Sequence, residues 1–439
     1  MLFIKNGCCM DPRSGLCKEM DIIIQDGKIL KMGENLEQTE FWRTVRRHEL
    51  QTIDAEGYVV APGLVDVHVH FRDPGFTAKE DIYTGSKAAA KGGFTSVVLM
   101  ANTNPVVDNE ETLRYIMQKG EETKIHVYTC GSVTKGMQGE TLADMSSLYK
   151  AGAVGFTDDG KPIMDEQLVE NAMNICKELN VPISFHEENP QYISENGINS
   201  GHVAEHFGIK GSDRQAEISM VQRDLEIALK TGACINIQHI STKEAVELVR
   251  SAKKKGGDIH AEATPHHFTL TEEAVLKHGA LAKMNPPLRT EEDRMAIIEG
   301  LKDGTIDLIA TDHAPHTKEE KGVSDITKAP SGIIGLETAL ALGITELVAK
   351  KHLTLMELLD KMTWQPAKMY HLDAGYIAED GPADLVIFDP DCYQTFMNFE
   401  SKSKNSPFAG KMCKSQVEYT ISDGKIAYIQ CMGFAGMED

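Results

Sequence analysis

The sequence predicts an α/β fold class: a (β/α)8 TIM barrel with a small β domain built from both termini. The first observation is that eight short apolar runs alternate with helical stretches over about 310 residues, which is typical of such a barrel. The second is that each end of the chain carries an Asp-Gly dipeptide between β-forming residues. We therefore expect a composite β domain at 1–60 and 375–439 and a barrel at 61–374.

The two terminal segments resemble each other. Segments 22–30 and 419–427 place Asp26-Gly27 and Asp423-Gly424 between β-formers, and a hairpin turn favours this dipeptide because it needs positive φ. Segment 383–388 predicts one more strand. The simplest assembly is a single β domain from both ends, with the middle of the chain inserted between its halves.

The middle of the chain predicts the barrel strands and two of its helices. The candidate strands are 64–70, 94–101, 124–130, 153–157, 182–186, 234–239, 258–264 and 306–311. In the segment Glu166–Leu179, Leu168, Ala172, Ile175 and Leu179 share one face of a helix, and 111–119 is a shorter helical candidate. A doubly wound open sheet is the alternative, but no strand precedes a G-x-G-x-x-G or Walker sequence.

Composition and charge limit the classes of partner. The 439 residues are 41% hydrophobic and 25% charged, as in ordinary globular proteins, and no apolar run reaches the roughly 18 residues that span a bilayer. The formal charge of −21 disfavours nucleic acid and anionic membranes as partners. Residues 1–7 do not resemble a signal peptide, so a cytoplasmic location is expected.

Histidine and aspartate residues occur where the predicted strands end. His68 and His70 alternate along the first strand, so both side chains point to the same side and can converge on one cation. Taken alone, this H-x-H pattern could equally be two histidines in a sheet core. Further candidates follow the fourth, fifth, sixth and eighth strands: Asp158, Asp159, His186, His239 and Asp312. These ends line one mouth of a barrel, and nitrogen and oxygen ligands of this kind suit zinc.

Five motifs resemble those of class I dihydroorotases in the amidohydrolase superfamily. They begin at His68 (HVHFRDPG), Asn102 (NTNP), Thr157 (TDDG), Asn285 (NPPLR) and Ala310 (ATDHAPH). The resemblance runs from about residue 20 to 430. It implies a zinc-dependent, reversible cyclisation of N-carbamoyl-L-aspartate to L-dihydroorotate in pyrimidine (UMP) biosynthesis.

The resemblance also implies the roles of the metal ligands, with one or two zinc ions per subunit. His68 and His70 would bind one zinc, His186 and His239 the second, and the aspartate after strand four would join both. The resemblance favours Asp159 for that position, since strand alternation cannot choose between it and Asp158. Asp312 would be a ligand of the first zinc and the catalytic acid/base group, because the attacking water needs a group that takes its proton.

Substrate recognition requires a cation inside an acidic protein. Arg72 lies two residues after His70, so alternation keeps it on the barrel side, and its planar guanidinium matches a carboxylate. A solvated arginine at a strand end is the alternative. The resemblance assigns substrate binding to Arg72, Asn102, Asn285 and His316. Segment 330–335 resembles a loop whose backbone touches the substrate.

Several alternatives stay open at this point. An allantoinase or a dihydropyrimidinase would share the barrel and the H-x-H pattern. An inactive homologue would serve only as a structural partner, for example of aspartate transcarbamoylase. Candidate assemblies of an active enzyme are a homodimer and an association with aspartate transcarbamoylase. The sequence suggests no metal role for His266 and His267, which we expect to be capping or packing residues.

Overall fold

The computed structural model describes residues 1–45 and 50–430, and its strands form three sheets. In chain order the strands are β1 (Leu2–Asp11), β2 (Leu16–Gln25), β3 (Lys28–Gly33), β4 (Gln51–Asp54), β5 (Val59–Pro62), β6 (Leu64–Val69), β7 (Phe94–Leu99), β8 (His126–Thr129), β9 (Phe156–Thr157), β10 (Ile183–Phe185), β11 (Ile235–Ile237), β12 (Ile259–Ala263), β13 (Leu308–Ile309), β14 (Leu385–Thr395), β15 (Met412–Ser422) and β16 (Lys425–Ile429).

The α-helices connect the strands of the middle region and follow its last strand. They are α1 (Ile82–Lys91), α2 (Glu110–Glu121), α3 (Met145–Ala151), α4 (Glu166–Leu179), α5 (His202–His206), α6 (Gln215–Thr231), α7 (Lys243–Lys254), α8 (Pro265–Thr269), α9 (Glu273–His278), α10 (Glu291–Lys302), α11 (Lys318–Lys321), α12 (Ala339–Gly343), α13 (Leu355–Met362) and α14 (Trp364–Met369).

The largest sheet takes strands from both ends of the chain. Its order is β16-β15-β14-β5-β1-β2-β3, with β4 beside β1. The antiparallel pairing of β5 with β14 sets Val60 opposite Ile387, and Ile22, Leu385 and Ile421 share one buried core. The division into 1–60 with 375–439 and 61–374 stays a prediction, and residues 46–49 and 431–439 of it lie outside the described residues.

Both predicted hairpins form, and their turns pack against each other. Asp26 and Gly27 have φ of 50° and 78°, and Asp423 and Gly424 have 50° and 70°. A Cβ on Gly27 would lie 2.3 Å from Oδ1 of Asp423, so this close approach requires glycine. The predicted strand at 383–388 begins at Leu385 and extends further, to Thr395.

The eight strands of the middle region are parallel and follow one another in a ring. One sheet has the order β6-β7-β8 and the other has the order β13-β12-β11-β10-β9. Parallel bridges join Gly131 to Phe156 and Val69 to His313. The second bridge connects the end of β6 to the segment that follows β13. In an open sheet, β6 and β13 would be the two edge strands. The arrangement therefore disagrees with the doubly wound alternative.

All eight predicted strands are present, but several are shorter than the sequence indicates. Segment 153–157 contains only Phe156–Thr157, and segment 306–311 contains only Leu308–Ile309. The chain turns away from the sheet at the strand ends, where His239 and Asp312 have φ of 32° and 47°. Such left-handed conformations end the regular pairing of a strand.

The predicted helix α4 has the expected bounds, and the four apolar residues of its predicted face all pack against the hydrophobic core. Val169, Ala172 and Cys176 are fully buried, whereas Leu168 and Ile175 are only half-buried. The most deeply buried side of the helix therefore lies one residue further along the chain than the face through Leu168 and Ile175. Val169 and Cys176 are apolar too, and a spacing of seven residues, two helical turns, places them on one side. The second predicted helix, 111–119, is confirmed as the slightly longer α2.

Within residues 1–45 and 50–430, no helix combines the length and the apolar character needed to cross a bilayer.

Candidate metal centre

Polar side chains collect where the parallel strands of the middle region end. His68 lies on β6, and the backbone N–H of His70 donates to the carbonyl of His313 at 2.9 Å. This contact holds Asp312 beside the histidine pair. In the neighbouring strands, Phe185 of β10 lies opposite Ile237 of β11, so His186 and His239 follow strands that end at the same level.

The first half of the centre contains His68, His70, Asp159 and Asp312. Nε2 of His70 lies 3.1 Å from Oδ1 of Asp312 and 3.4 Å from Oδ2 of Asp159. Nε2 of His68 lies 3.4 Å from Oδ1 of Asp159 and 3.5 Å from Oδ1 of Asp312. Two imidazoles from one strand and two carboxylates from distant segments therefore surround the same space.

The second half of the centre contains His186 and His239. Nδ1 of His186 faces Nε2 of His239 at 2.8 Å, and these nitrogens lie 3.7 Å and 3.9 Å from Oδ1 of Asp159. Asp159 is thus near all four histidines. The six residues that the sequence proposes as metal ligands meet in one place, and all six are buried.

The donor atoms fit a cation. Donor atoms of His68, His70 and Asp312 lie within 4.8 Å of one another, and so do those of His68, Asp159 and His239. Nε2 of His68 and Oδ1 of Asp159 are buried without a hydrogen-bond partner, which is costly unless another group satisfies them. A divalent ion between these nitrogen and oxygen atoms would do so.

The two neighbouring aspartates after β9 have different surroundings. Oδ1 of Asp158 accepts the backbone N–H groups of Val133 at 2.8 Å and Thr134 at 3.1 Å. Asp158 therefore ties the segment after β9 to the loop after β8. Asp159 alone of the pair faces the histidines.

Charge makes the centre attractive for a cation. The carboxylates of Glu188 and Glu262 contact His186 and His68, in addition to Asp159 and Asp312. Burial opposes a charge on His68, yet Glu262 and Asp159 hold the pKa of His68 well above its usual value. Four carboxylates in one buried pocket carry more negative charge than a single protonated imidazole can neutralise. This arrangement favours the binding of a divalent cation.

Glu262, like Glu188, is a candidate site residue that the sequence motifs do not indicate. It lies on β12, fully buried, where it contacts Nδ1 of His68 and accepts the backbone N–H of His239 at 3.1 Å. A carboxylate on the far nitrogen of a ligating histidine fixes the tautomer and the ring orientation. The signal in the sequence is a glutamate within the apolar strand Ile259–Ala263, since a buried strand seldom carries an unpaired carboxylate.

Two of the predicted substrate residues lie beside the metal centre. Arg72 has φ of 59° and follows the end of β6, so strand alternation does not set its direction as predicted. Its Nε donates to the carbonyl of Pro315 at 3.3 Å. Burial lowers the pKa of Arg72, and the charges of Asp312 and Asp159 partly offset this effect. The amide oxygen of Asn102 lies 2.9 Å from Nδ1 of His70. Its amide nitrogen donates to Oδ2 of Asp159 at 3.1 Å.

The other two predicted substrate residues lie on loops. Nε2 of His316 lies 2.8 Å from the carbonyl of Ser331, and Nδ1 faces Nζ of Lys79 at 3.4 Å. Burial and the charge of Arg72 lower the pKa of His316 to about 2, so the ring is neutral. Oδ1 of Asn285 is buried without a hydrogen-bond partner, so it is available to a ligand.

The neighbouring histidines after β12 differ in their contacts. His267 hydrogen-bonds Thr264 at 2.7 Å through Nδ1 and the carbonyl of Pro286 at 3.1 Å through Nε2. Thr264 caps helix α8, so His267 has the packing role that we expect from the sequence. Nε2 of His266 is buried without a hydrogen-bond partner.

Comparisons with known proteins agree with this site. Residues 59–427 match the amidohydrolase family. The chain is 55% identical to a dihydroorotase of Clostridioides difficile (strain 630) over 428 residues, which cover 98% of this chain and 100% of the relative. It is 51% identical to a dihydroorotase of Streptococcus pneumoniae over 429 residues, covering 98% of this chain and 100% of that one.

Solved structures share the fold. An L-hydantoinase (dihydropyrimidinase) from Arthrobacter aurescens superposes with a TM-score of 0.87 at 25% identity, covering 98% of this chain and 97% of that one. A D-hydantoinase superposes with a TM-score of 0.84 at 23% identity over 97% and 94% of the two chains, a likeness of fold alone. From the family match and the dihydroorotase relatives, the chain belongs to the amidohydrolase family and, within it, to the dihydroorotases.

Proposed function

We propose that this cyclic amidohydrolase is a zinc-dependent dihydroorotase with a (β/α)8 barrel, which interconverts N-carbamoyl-L-aspartate and L-dihydroorotate in pyrimidine (UMP) synthesis. The observation that carries the proposal is the meeting of six buried ligand candidates from five strand ends, together with dihydroorotase relatives over nearly the whole chain. Such a convergence at the carboxyl ends of barrel strands is typical of an active site.

The residues divide into two sets of ligands for one or two zinc ions. His68, His70 and Asp312 would hold the first ion, His186 and His239 the second, and Asp159 lies within 3.4–3.9 Å of all four histidines and would bridge them. Bound zinc would polarise water and the ring carbonyl near neutral pH. The mixed nitrogen and oxygen donors support zinc over magnesium or calcium, which prefer oxygen ligands.

Asp312 is the proposed acid/base group. Its Oδ1 lies 3.1 Å from His70 and its conformation directs the carboxylate into the centre. In the hydrolytic direction the carboxylate would take a proton from the attacking water and then give it to the departing ring nitrogen. In the synthetic direction the same proton would travel the opposite way.

Arg72 is the proposed partner of the substrate carboxylate. Its side chain is half-buried, its guanidinium stays cationic, and it lies close enough to Asp312 and Asp159 for their charges to act on it. Asn102 orients His70 and Asp159 through its amide. The same amide would also contact the substrate. His316 could approach the substrate through Nδ1 only if Lys79 moves away from it, whereas Asn285 has a free acceptor.

A substrate panel tests the proposal. Zinc-loaded protein is given dihydroorotate, N-carbamoyl-aspartate, hydantoin and allantoin, and opening or closure of each ring is followed by the absorbance of the ring amide. We expect turnover of the first two only. Turnover of hydantoin or allantoin without turnover of dihydroorotate would assign the chain another cyclic-amide substrate.

The remaining proposals concern the setting of the enzyme. A cytoplasmic location, a homodimer and an association with aspartate transcarbamoylase are expectations from the sequence. Sedimentation of the purified chain, alone and with the transcarbamoylase of the same organism, tests both assemblies. A monomer in each experiment would contradict them.

A further inference from the structure

A second group of potential metal ligands lies at the opposite end of the barrel strands. Cys234 directly precedes β11, Asp258 directly precedes β12, and His260 is the second residue of β12. The pairing of Ile235 with Ile259 places Cys234 beside Asp258. His239 lies five positions after Cys234, about 16 Å at the usual rise of an extended chain, so this group is distinct from the centre described above.

The three side chains offer a sulfur, an oxygen and a nitrogen to one point. These donor atoms all lie within 4.8 Å of one another. Nε2 of His260 lies 3.1 Å from Oδ1 of Asp258, and Nδ1 of His260 faces Oδ2 of Asp307 at 3.5 Å. Asp307 is itself held by Lys253 at 2.6 Å. One nitrogen of His260 therefore faces the cluster, and the other faces a carboxylate that is itself held in place. Many histidines that bind a metal make the same contact between their second nitrogen and a carboxylate.

A cavity gives an ion access to the group. It has a volume of about 400 Å³, and its lining includes Cys234, Asp258, His260 and His371. Asp258 is exposed, so the cavity communicates with solvent. The space accommodates a fourth ligand, either water or the imidazole of His371.

We propose that Cys234, Asp258 and His260 bind a divalent, thiol-binding cation, with Zn²⁺ as the natural candidate. Thiolate and imidazole ligands select zinc over magnesium and calcium. Burial raises the pKa of the Cys234 thiol, so the metal-free side chain is protonated. Burial opposes a charge on His260, but hydrogen bonds to Asp258 and Asp307 raise its pKa to about 11, so its ring is protonated as well. Binding therefore forms the metal–sulfur and metal–nitrogen bonds and releases one proton from Cys234 and one from His260 to solvent. Zinc analysis of the whole enzyme would therefore count this ion together with those of the active site.

Cadmium titration tests the proposal independently of activity. Cd²⁺ bound to a thiolate gives a charge-transfer absorption in the ultraviolet, and the donor set around Asp159 contains only nitrogen and oxygen. The titration uses reduced, metal-free protein that carries Cys17→Ser, because Cys8 and Cys17 lie next to each other and would form a thiol pair of their own. We expect the band to level off at the amplitude of one cadmium-bound thiolate per chain, however many ions the donor set around Asp159 takes up.

Three variants in this background decide the assignment. Cys234→Ser should abolish the band, and His260→Gln should weaken cadmium binding at least tenfold. Cys392→Ser, which removes a half-buried thiol elsewhere, should leave the band unchanged. Thermal melting checks that each variant folds. If Cys234→Ser does not fold, the result of His260→Gln alone decides the assignment. A band that is missing from the parent protein, or that survives in both Cys234→Ser and His260→Gln, overturns the proposal.

Discussion

Glu262 contacts Nδ1 of His68 from a strand that is not adjacent to the strand of the histidine. β13 pairs with β12, and the residues after β13 bridge to the end of β6, so the contact joins two strands that are not neighbours. The same carboxylate oxygen accepts the backbone N–H of His239 at 3.1 Å. One buried side chain therefore sets the positions of ligand candidates in both halves of the metal centre.

The first prediction follows from this contact. Glu262→Gln should weaken zinc binding by about 10–100-fold, the usual effect of removing a carboxylate behind a ligating histidine. Competition with a chromophoric chelator measures the affinity. Glu217→Gln is the matched control, because Glu217 is equally buried but accepts from the backbone of Ser241 and Thr242. Unchanged zinc affinity in Glu262→Gln would show that the contact is only structural.

The second prediction concerns proton transfer. Asp312→Asn should lower kcat by at least about 100-fold in both directions, because the amide cannot take or give the proton. The rates of ring opening and ring closure measure this loss. Asp325→Asn, in an exposed loop, should keep the rate of the parent enzyme. A variant at Asp312 with normal kcat would remove the residue from the mechanism.

The third prediction concerns the substrate carboxylate. Arg72→Lys should raise KM for N-carbamoyl-aspartate by about 10–100-fold, since a lysine keeps the charge but loses the forked pair of hydrogen bonds worth roughly 1.5–3 kcal/mol. Steady-state kinetics measures the change. Arg294→Lys, which alters a surface pair with Glu291, is the control. An unaltered KM would mean that Arg72 has another task.

The fourth prediction concerns metal removal. A strong chelator should abolish turnover, and added Zn²⁺ should restore it, because in the proposed reaction the bound zinc polarises the water and the ring carbonyl. Circular dichroism before and after chelation shows whether the fold survives. Full activity in metal-free protein would contradict the proposed chemistry.

The fifth prediction concerns the loop beside His316. Gly332 has φ of 117°, and a Cβ there would lie 2.7 Å from the Cβ of Ala314. Gly332→Ala should therefore lower the free energy of unfolding by about 1–3 kcal/mol through backbone strain, with a further cost from the clash. Gly410→Ala is the matched control, because Gly410 also has positive φ but open space around it. Equal melting temperatures for the two variants would show that the clash is relieved without cost.

Local patterns in the sequence predicted the elements well. The Asp-Gly turns, the eight barrel strands and helix α4 each depend on residues that are near one another in the chain. The sequence does not show which residues of α4 are most deeply buried, because Leu168 and Val169 are both apolar and only packing against neighbours decides between them. Strand ends were predicted too long, because the sequence does not show where residues such as Asp312 adopt a left-handed conformation.

The site was predicted less evenly. The six ligand candidates stand at strand ends, and the barrel geometry brings such ends together, so their meeting could be anticipated. Glu262 could not be paired with His68 from the sequence, because 194 positions separate them and no spacing rule relates the two. The direction of Arg72 was inferred from strand alternation, which fails because the strand ends at Val69.

The pairing of β5 with β14 has a consequence for how the polypeptide is made. Pro62 and Leu385 are partners in the sheet, yet about 320 residues lie between them, and at about 5–20 residues per second the ribosome needs roughly 16–65 s to supply the second strand after the first. During that interval the apolar edge of the N-terminal strands has no cover. Nascent chains of this protein should therefore depend on chaperones until translation ends, and C-terminally truncated products should aggregate.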